Sequence, residues 1–209
     1  MTFRAKVLCW LLSVNEVGVC LTKNITFSNT NDIVNQVSGM DYGEHLILIY
    51  PDLSTLREFY LYYVKRAIEK GNGAVLLAPC YETTGEARQI LEGGSCLNAS
   101  KHESEGTLKI IDSMEAYFGK GRVMDSIYDL VSNAKSTGKA GLSSLADTGC
   151  FLQRNALNEL VDVELSLPTR FDIPYKRICI YHRKDFDRLT EEQKQKLINH
   201  HGATIRLQN

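Results

Sequence analysis

Apolar and polar positions along this chain follow two alternating periods, and the alternation lays out an α/β protein. His45-Leu-Ile-Leu-Ile-Tyr50 is a continuous apolar run, the pattern of a strand buried on both faces. From Ser54 to Lys70 the apolar residues recur at helical spacing, and Gly71-Asn-Gly73 turns the chain into a second run, Ala74 to Ala78. Strand, helix and strand in this order make one βαβ unit. Further on, Asn31 to Val37 carries Ile33, Val34 and Val37 on one helical face, with Thr30 or Asn31 placed to cap it. Thr83 to Leu91 reads as a helix ended by Gly93-Gly94, Cys96 to Glu105 as an exposed polar loop, and Thr107 to Ile111 as a strand. Arg122 to Thr137 is amphipathic, Leu142 to Ala146 is a weak strand, and Phe151 to Leu165 is one helix stopped near Pro168. Arg177-Ile-Cys-Ile-Tyr181 is a clear strand, Glu191 to His200 the last helix, and Ala203 to Leu207 an edge strand. Such alternation predicts a mostly parallel sheet with helices on both faces. One domain is expected over residues 31–209, preceded by an extension or linker over residues 1–30, whose end is rich in Asn, Thr and Ser.

The turn after the first strand bears directly on function. A nucleotide-binding βαβ unit places a Gly-rich loop ending in Gly-Lys-Ser/Thr here, so that backbone N–H groups and the lysine cradle phosphates. Pro51-Asp-Leu-Ser-Thr55 instead offers two hydroxyls and one carboxylate, with neither glycine nor lysine, and makes a poor anion nest. The usual ligand of such a scaffold has been lost or exchanged. Open parallel sheets bind ligands at the carboxyl ends of their strands. That rule makes Tyr50, Asp52, Ser54, Thr55, Cys80, Asp112 and Ser143 candidate ligand-binding residues.

Charge and cysteine usage narrow the partners. Twenty-four basic and twenty-five acidic residues leave a formal net charge of −1, so no global field draws the chain to nucleic acid or an anionic membrane, and neither is expected as a direct partner. The lysines between Lys184 and Lys196 alternate with Glu and Asp, as on a solvated helix face. The apolar stretch from Val7 to Leu12 follows Arg4 and Lys6 but is interrupted by Asn15 and Glu16, and it falls short of the roughly 20 residues that span a bilayer. Cysteines at 9, 20, 80, 96, 150 and 179 form no Cys-x-x-Cys pair and no Cys/His group of zinc-site spacing. Reduced thiols, a cytoplasmic location and no metal or other cofactor are expected.

Several residues carry candidate chemistry. His45 opens the first strand, where its ring either enters a pocket or binds a metal, or simply hydrogen-bonds a neighbouring backbone group. Tyr50, at the other end, either orients a small polar ligand or fills the space a nucleotide would occupy. Arg177, Cys179 and Tyr181 share one sheet face by the period of two, and Cys179 reads as core packing unless a nearby cation lowers its pKa. Glu164 brings a formal charge into an apolar neighbourhood, with Arg177 or a ligand as its candidate partner. His200 and His201 stand at a helix C-terminus; adjacent helical positions diverge by about 100°, so they are expected to cap rather than to form a two-histidine metal face.

In order and spacing, His45 to Tyr50, Tyr62-Tyr-Val-Lys-Arg-Ala-Ile-Glu-Lys-Gly71, Gly106-Thr-Leu-Lys-Ile-Ile111, Gly141-Leu142, Glu164, Arg177 to Tyr181 and Asn199-His-His201 resemble the MEDS domain. This is the methanogen/methylotroph sensory domain named for a regulator of dichloromethane metabolism. The resemblance implies a RecA-like fold, similar to circadian-clock ATPases but without a functional phosphate-binding loop, in an archaeal or bacterial regulator. It implies a non-enzymatic sensory domain that binds a small organic ligand, a hydrocarbon derivative, with His45 at a characteristic family position. Output would pass to a separately encoded histidine kinase or transcription factor, or through a homo-oligomer. Family members commonly carry an arginine after the Gly-Leu turn and a tryptophan a few residues later, where this chain has Leu142-Ser143 and Cys150-Phe151. Three other readings compete. A degenerate nucleotide-binding ATPase would be stabilised by nucleotide. A thiol- or metal-dependent enzyme would bring His45 and Cys179 within hydrogen-bond reach. A structural adaptor would have a filled cleft.

Overall fold

A computed structural model describes residues 23–26, 30–71, 73–95, 97–119 and 121–208. The apolar stretch from Val7 to Leu12, and the rest of residues 1–22, lie outside the described residues. The strands are β1 (Lys23–Thr26), β2 (His45–Tyr50), β3 (Gly73–Ala78), β4 (Leu108–Ile110), β5 (Gly141–Asp147), β6 (Tyr175–His182) and β7 (Ala203–Arg206). They make one sheet in the order β1-β7-β2-β6-β5-β3-β4, with every neighbouring pair parallel. Because each crossover lays a helix over one face, the inner strands are covered on both sides. Every residue of β2, β3 and β5 is buried, which is why these segments read as unbroken apolar runs.

Two helical layers close the sheet. On one side α1 (Thr30–Gly39), α2 (Leu53–Lys70) and α3 (Thr84–Ser95) pack Ile33, Phe59, Tyr60 and Leu91 onto Leu46, Leu48, Leu77 and Ile180. On the other side lie α5 (Ser113–Phe118), α6 (Val123–Ser136), α7 (Gly149–Gln153), α8 (Leu157–Ser166), α9 (Arg183–Phe186) and α10 (Glu191–His200). There Phe151, Leu160, Phe186 and Leu197 meet Ile47, Ile49, Cys179 and Tyr181. The remaining helix, α4 (Ala99–Ser104), abuts β4. The long α2 starts at Asp52, whose carboxylate accepts from the Thr55 backbone N–H, and ends at Gly71, left-handed at φ 74°. Among the described residues no helix is long and apolar enough to cross a membrane.

Four local expectations are corrected. Gly93 and Gly94 do not end α3, which runs to Ser95; a Cβ at Gly94 would lie 2.8 Å from a Leu61 methyl, so that glycine serves the close approach of α3 to α2. The expected loop from Cys96 to Glu105 contains α4, capped by Asn98 and tied to α3 by the two-pronged Arg88–Glu103 ion pair. The expected helix from Phe151 to Leu165 is two helices, broken where Asn155 takes φ 57°, a conformation asparagine tolerates better than most residues. Finally, Ala203–Arg206 is an inner strand, not an edge, because Lys23–Thr26 pairs along its far side. Those four residues belong to the polar stretch that reads as a linker, so the sheet begins before residue 31.

The weak-looking strand at Leu142 is central, and its serines and glycine have packing roles. Ser144 Oγ lies 2.5 Å from the Tyr175 hydroxyl. A Cβ at Gly141 would collide with the Pro174 carbonyl oxygen and come within 2.7 Å of the Tyr42 ring. Gly141→Ala should therefore lower unfolding stability by roughly 1–3 kcal/mol, the usual cost of overpacking against atoms that cannot move aside. Gly39→Ala, with nothing within 4 Å, should leave it nearly unchanged. Urea unfolding of the two variants checks the pair, and equal midpoints would refute the packing argument.

Candidate functional site

The carboxyl ends of the strands, where a nucleotide would sit in this architecture, are filled by the protein's own side chains. Tyr50 is buried, donates to Asp147 Oδ2 at 3.1 Å and meets the His182 ring edge-on. Tyr60 donates to Glu82 Oε1, and Arg57 binds the same carboxylate at 2.8 Å. Asp52 Oδ1 takes both the N–H and the hydroxyl of Thr55, so a carboxylate already occupies the helix N-terminus that would otherwise receive an anion. Ser54 is exposed on the same turn, and Asp112 caps α5 by accepting from Met114 N–H. Cys80 is half-buried, its thiol pushed up by burial and by the charge of Asp147. The space left among Leu53, Tyr60, Cys80, Tyr81 and Asp147 is about 10 Å³, no more than a single water needs. Ser143 is not at this end at all. It faces a cavity of about 230 Å³ near the strand starts, beside Tyr63 and Lys176.

A second set of the candidate residues converges elsewhere, on the α8 side of the sheet. His45 and Arg177 are register partners on β2 and β6, and Cys179 follows two residues on, so all three project to one face. Leu160, Val161 and Glu164 share the inward side of α8, and the helical period thereby carries the carboxylate onto them. The break at Asn155 sets the direction of that helix. His201 leaves α10 in extended conformation, and Gly202 N–H donates to the His45 carbonyl, which brings the two imidazoles to 4.0 Å between ring centroids. His45 Nε2 lies 3.3 Å from Cys179 Sγ and 3.6 Å from Glu164 Oε2; His201 Nε2 lies 3.4 Å from the same carboxylate oxygen. Arg177 donates through Nε to Cys179 Sγ at 3.2 Å and places Nη2 3.5 Å from Glu164 Oε1. His45, Glu164, Cys179 and His201 are fully or almost fully buried, and Tyr181 beside them is buried with its hydroxyl unbonded.

Electrostatics in this cluster follow from burial and neighbours. Burial alone would push the Glu164 carboxyl up, but the imidazoles of His201 and His45 and the Arg177 guanidinium hold it well below the ordinary carboxylate range. Burial lowers His45 to about 4, leaving it neutral at physiological pH. Burial, with the Glu164 charge, pushes the Cys179 thiol well up. The capping role expected of His201 is present, since its Nδ1 meets the Leu197 carbonyl at 2.7 Å, but its Nε2 belongs to the cluster. Residues that sequence reasoning did not single out complete the surroundings: Tyr117, whose hydroxyl lies 3.4 Å from Glu164 Oε1, and Tyr175, which accepts from Arg177 Nη1 at 3.3 Å.

Arg177 also reaches outward. It lines, with Tyr175, Ala146, Ile111, Ala116 and Ile127, a cavity of about 250 Å³ between α5, α6 and the sheet. The parallel sheet, its two helical layers and the carboxylate-capped first turn define a RecA-like α/β protein. The sequence model of the methanogen/methylotroph, DcmR sensory domain (MEDS) matches residues 44–201, and the chain belongs to that family. No curated protein matches it.

Asp147, also not singled out by sequence, closes the filled crevice, and its burial raises the carboxyl to about 7 despite hydrogen bonds from Gly149 N–H and Tyr50. The folded protein holds this proton up to that pH while the unfolded chain releases it near 3.8, so wild-type stability falls as pH rises between the two values. Asp147→Asn removes the titration. In urea unfolding it should gain on wild type by on the order of 3 kcal/mol from about pH 5 to about pH 8. A gap that does not change with pH would contradict the assignment.

Proposed function

We propose that this chain is a non-enzymatic sensory domain that binds a small organic molecule in the cavity between α5, α6 and the sheet, and signals its occupancy to a separate protein, a histidine kinase or a transcription factor. The observation that carries the reading is the cavity itself, where Leu76, Ile111, Ile127 and Ala146 share the wall with Lys109, Glu115, Asp129 and the buried Arg177. A lining that mixes apolar side chains with a few charged and amide groups suits a small hydrocarbon derivative that bears a polar group. The volume, about 250 Å³, lies below the roughly 300–1,000 Å³ typical of sites for larger ligands, which favours a molecule of a few heavy atoms over a nucleotide. The family's description as a sensory domain supports the same role. In the cavity near the strand starts, by contrast, Lys176 already donates to the Val37 and Met40 carbonyls.

A thermal-shift screen of the purified chain against short alcohols, methylamines, halomethanes, short-chain acids and ATP with magnesium tests this reading. A small organic compound at 100 times its Kd should add about 2.7 kcal/mol, or on the order of 5–10 °C in Tm. Ala116→Phe, which fills the cavity from its half-buried wall, should keep the fold and abolish the shift. Stabilisation by ATP alone would favour the nucleotide-binding reading. No response to any compound would favour the ligand-free adaptor.

A further inference from the structure

Four side chains that come from separate segments, β2, α8, β6 and the end of α10, aim their donor atoms at one point. His45, Glu164, Cys179 and His201 each offer one ligand atom, and these atoms all lie within 4.8 Å of one another in buried surroundings. The far nitrogen of each imidazole is already committed. His45 Nδ1 lies 2.9 Å from the Pro168 carbonyl and His201 Nδ1 2.7 Å from the Leu197 carbonyl. A carbonyl only accepts, so each Nδ1 carries a hydrogen, and Nε2 is the ring nitrogen that faces inward. Both Nε2 atoms face Glu164 Oε2, and neither Glu164 Oε2 nor His201 Nε2 has a hydrogen-bond partner. Arg177 does not relieve this side of the cluster, because its contacts are to Glu164 Oε1 and Cys179 Sγ. A carboxylate oxygen and a ring nitrogen left without partners in dry protein cost free energy unless something bridges them.

Three of the six separations match a bridging metal ion, and none exceeds 4.8 Å. Donors bonded at about 2.1 Å around a tetrahedral zinc stand about 3.4 Å apart. Here His45 Nε2 to Cys179 Sγ is 3.3 Å, His45 Nε2 to Glu164 Oε2 is 3.6 Å and His201 Nε2 to Glu164 Oε2 is 3.4 Å. The backbone carbonyls on both Nδ1 atoms are the outer-shell partners that metal-bound histidines commonly have.

We propose that His45 Nε2, His201 Nε2, the Glu164 carboxylate and the Cys179 thiolate bind one thiophilic divalent cation of the zinc class. Two imidazoles, a carboxylate and a thiolate are a borderline-soft set that suits zinc over magnesium or calcium. On binding, the S–H bond of Cys179 gives its proton to solvent and the sulfur bonds the metal, with Arg177 Nε remaining as a donor to that sulfur. With all four positions taken by protein the site is closed, so the ion ties β2, β6, α8 and the end of α10 together and does no chemistry on a substrate. This goes beyond the sensory reading and stands or falls independently of it.

The untagged full chain, produced in zinc-supplemented and in cobalt-supplemented medium and purified without chelator, tests the site. Elemental mass spectrometry should find about one metal per chain. The cobalt form should show thiolate-to-cobalt charge transfer in the near ultraviolet and the intense visible bands of tetrahedral coordination. Cys179→Ser should abolish the charge-transfer band and weaken zinc binding, by chelator competition, more than the roughly 10–100-fold lost with an outer-shell partner. Cys80→Ser should change neither. A chain folded by circular dichroism but metal-free from both media would overturn the proposal, as would bound cobalt lacking the thiolate band or a band that survives in Cys179→Ser. If Cys179→Ser does not fold, the wild-type metal content and cobalt spectrum decide the matter.

Discussion

An ionised carboxylate inside the helix–sheet interface is the constraint around which this side of the molecule is arranged. Glu164 has no exposure, yet it stays charged because Arg177, His45, His201 and Tyr117 surround it. Burying such a group without partners costs several kcal/mol, and removing one partner exposes that cost. The partners come from β2, β6, α5 and the end of α10, so the charge cannot be accommodated unless α8 docks in one register and α10 returns to the start of β7. Apolar packing of Leu160 and Val161 would allow α8 some latitude; the carboxylate does not.

Arg177 joins two regions that would otherwise be separate. One side of its guanidinium serves Glu164 and Cys179, and the residue also forms part of the cavity wall beneath α5 and α6. On the proposed reading, a ligand that touches the Arg177 side chain shifts the guanidinium on which Glu164 and Cys179 rely. Occupancy of the cavity and the geometry of the buried cluster would then bias one another, and linkage makes that bias reciprocal.

Much of the fold was legible because its signals are local. Unbroken apolar runs at His45–Tyr50 and Gly73–Ala78 and the helical stripe before Lys70 mark buried strands and a covering helix with little ambiguity. Features that depend on distant neighbours were not legible. Gly94 looks like a stop until Leu61 is seen against it, and Lys23–Thr26 looks like linker until β7 is present to pair with it. Likewise, Glu164, Cys179 and His45 were candidate residues, but their convergence was hidden, since metal-ligand spacing is recognised only when ligands are close in sequence. Positions 45, 164, 179 and 201 meet only through sheet register and the turn after α10. The strand-end rule pointed instead to the crevice near Tyr50, which the chain has filled with tyrosines. One signal for that filling was present, in Tyr50, Tyr60 and Tyr81 clustered around the first two strand ends, but tyrosine is equally at home lining a pocket.

The two margins of the sheet bear on self-association. β4 has three residues and β1 four, against six to eight in β2, β3, β5 and β6. A strand at a margin recruits another chain through its row of unsatisfied N–H and C=O groups, and a short strand offers few of them. Among the described residues, tapering the sheet in this way leaves a second copy few backbone groups at either margin to extend.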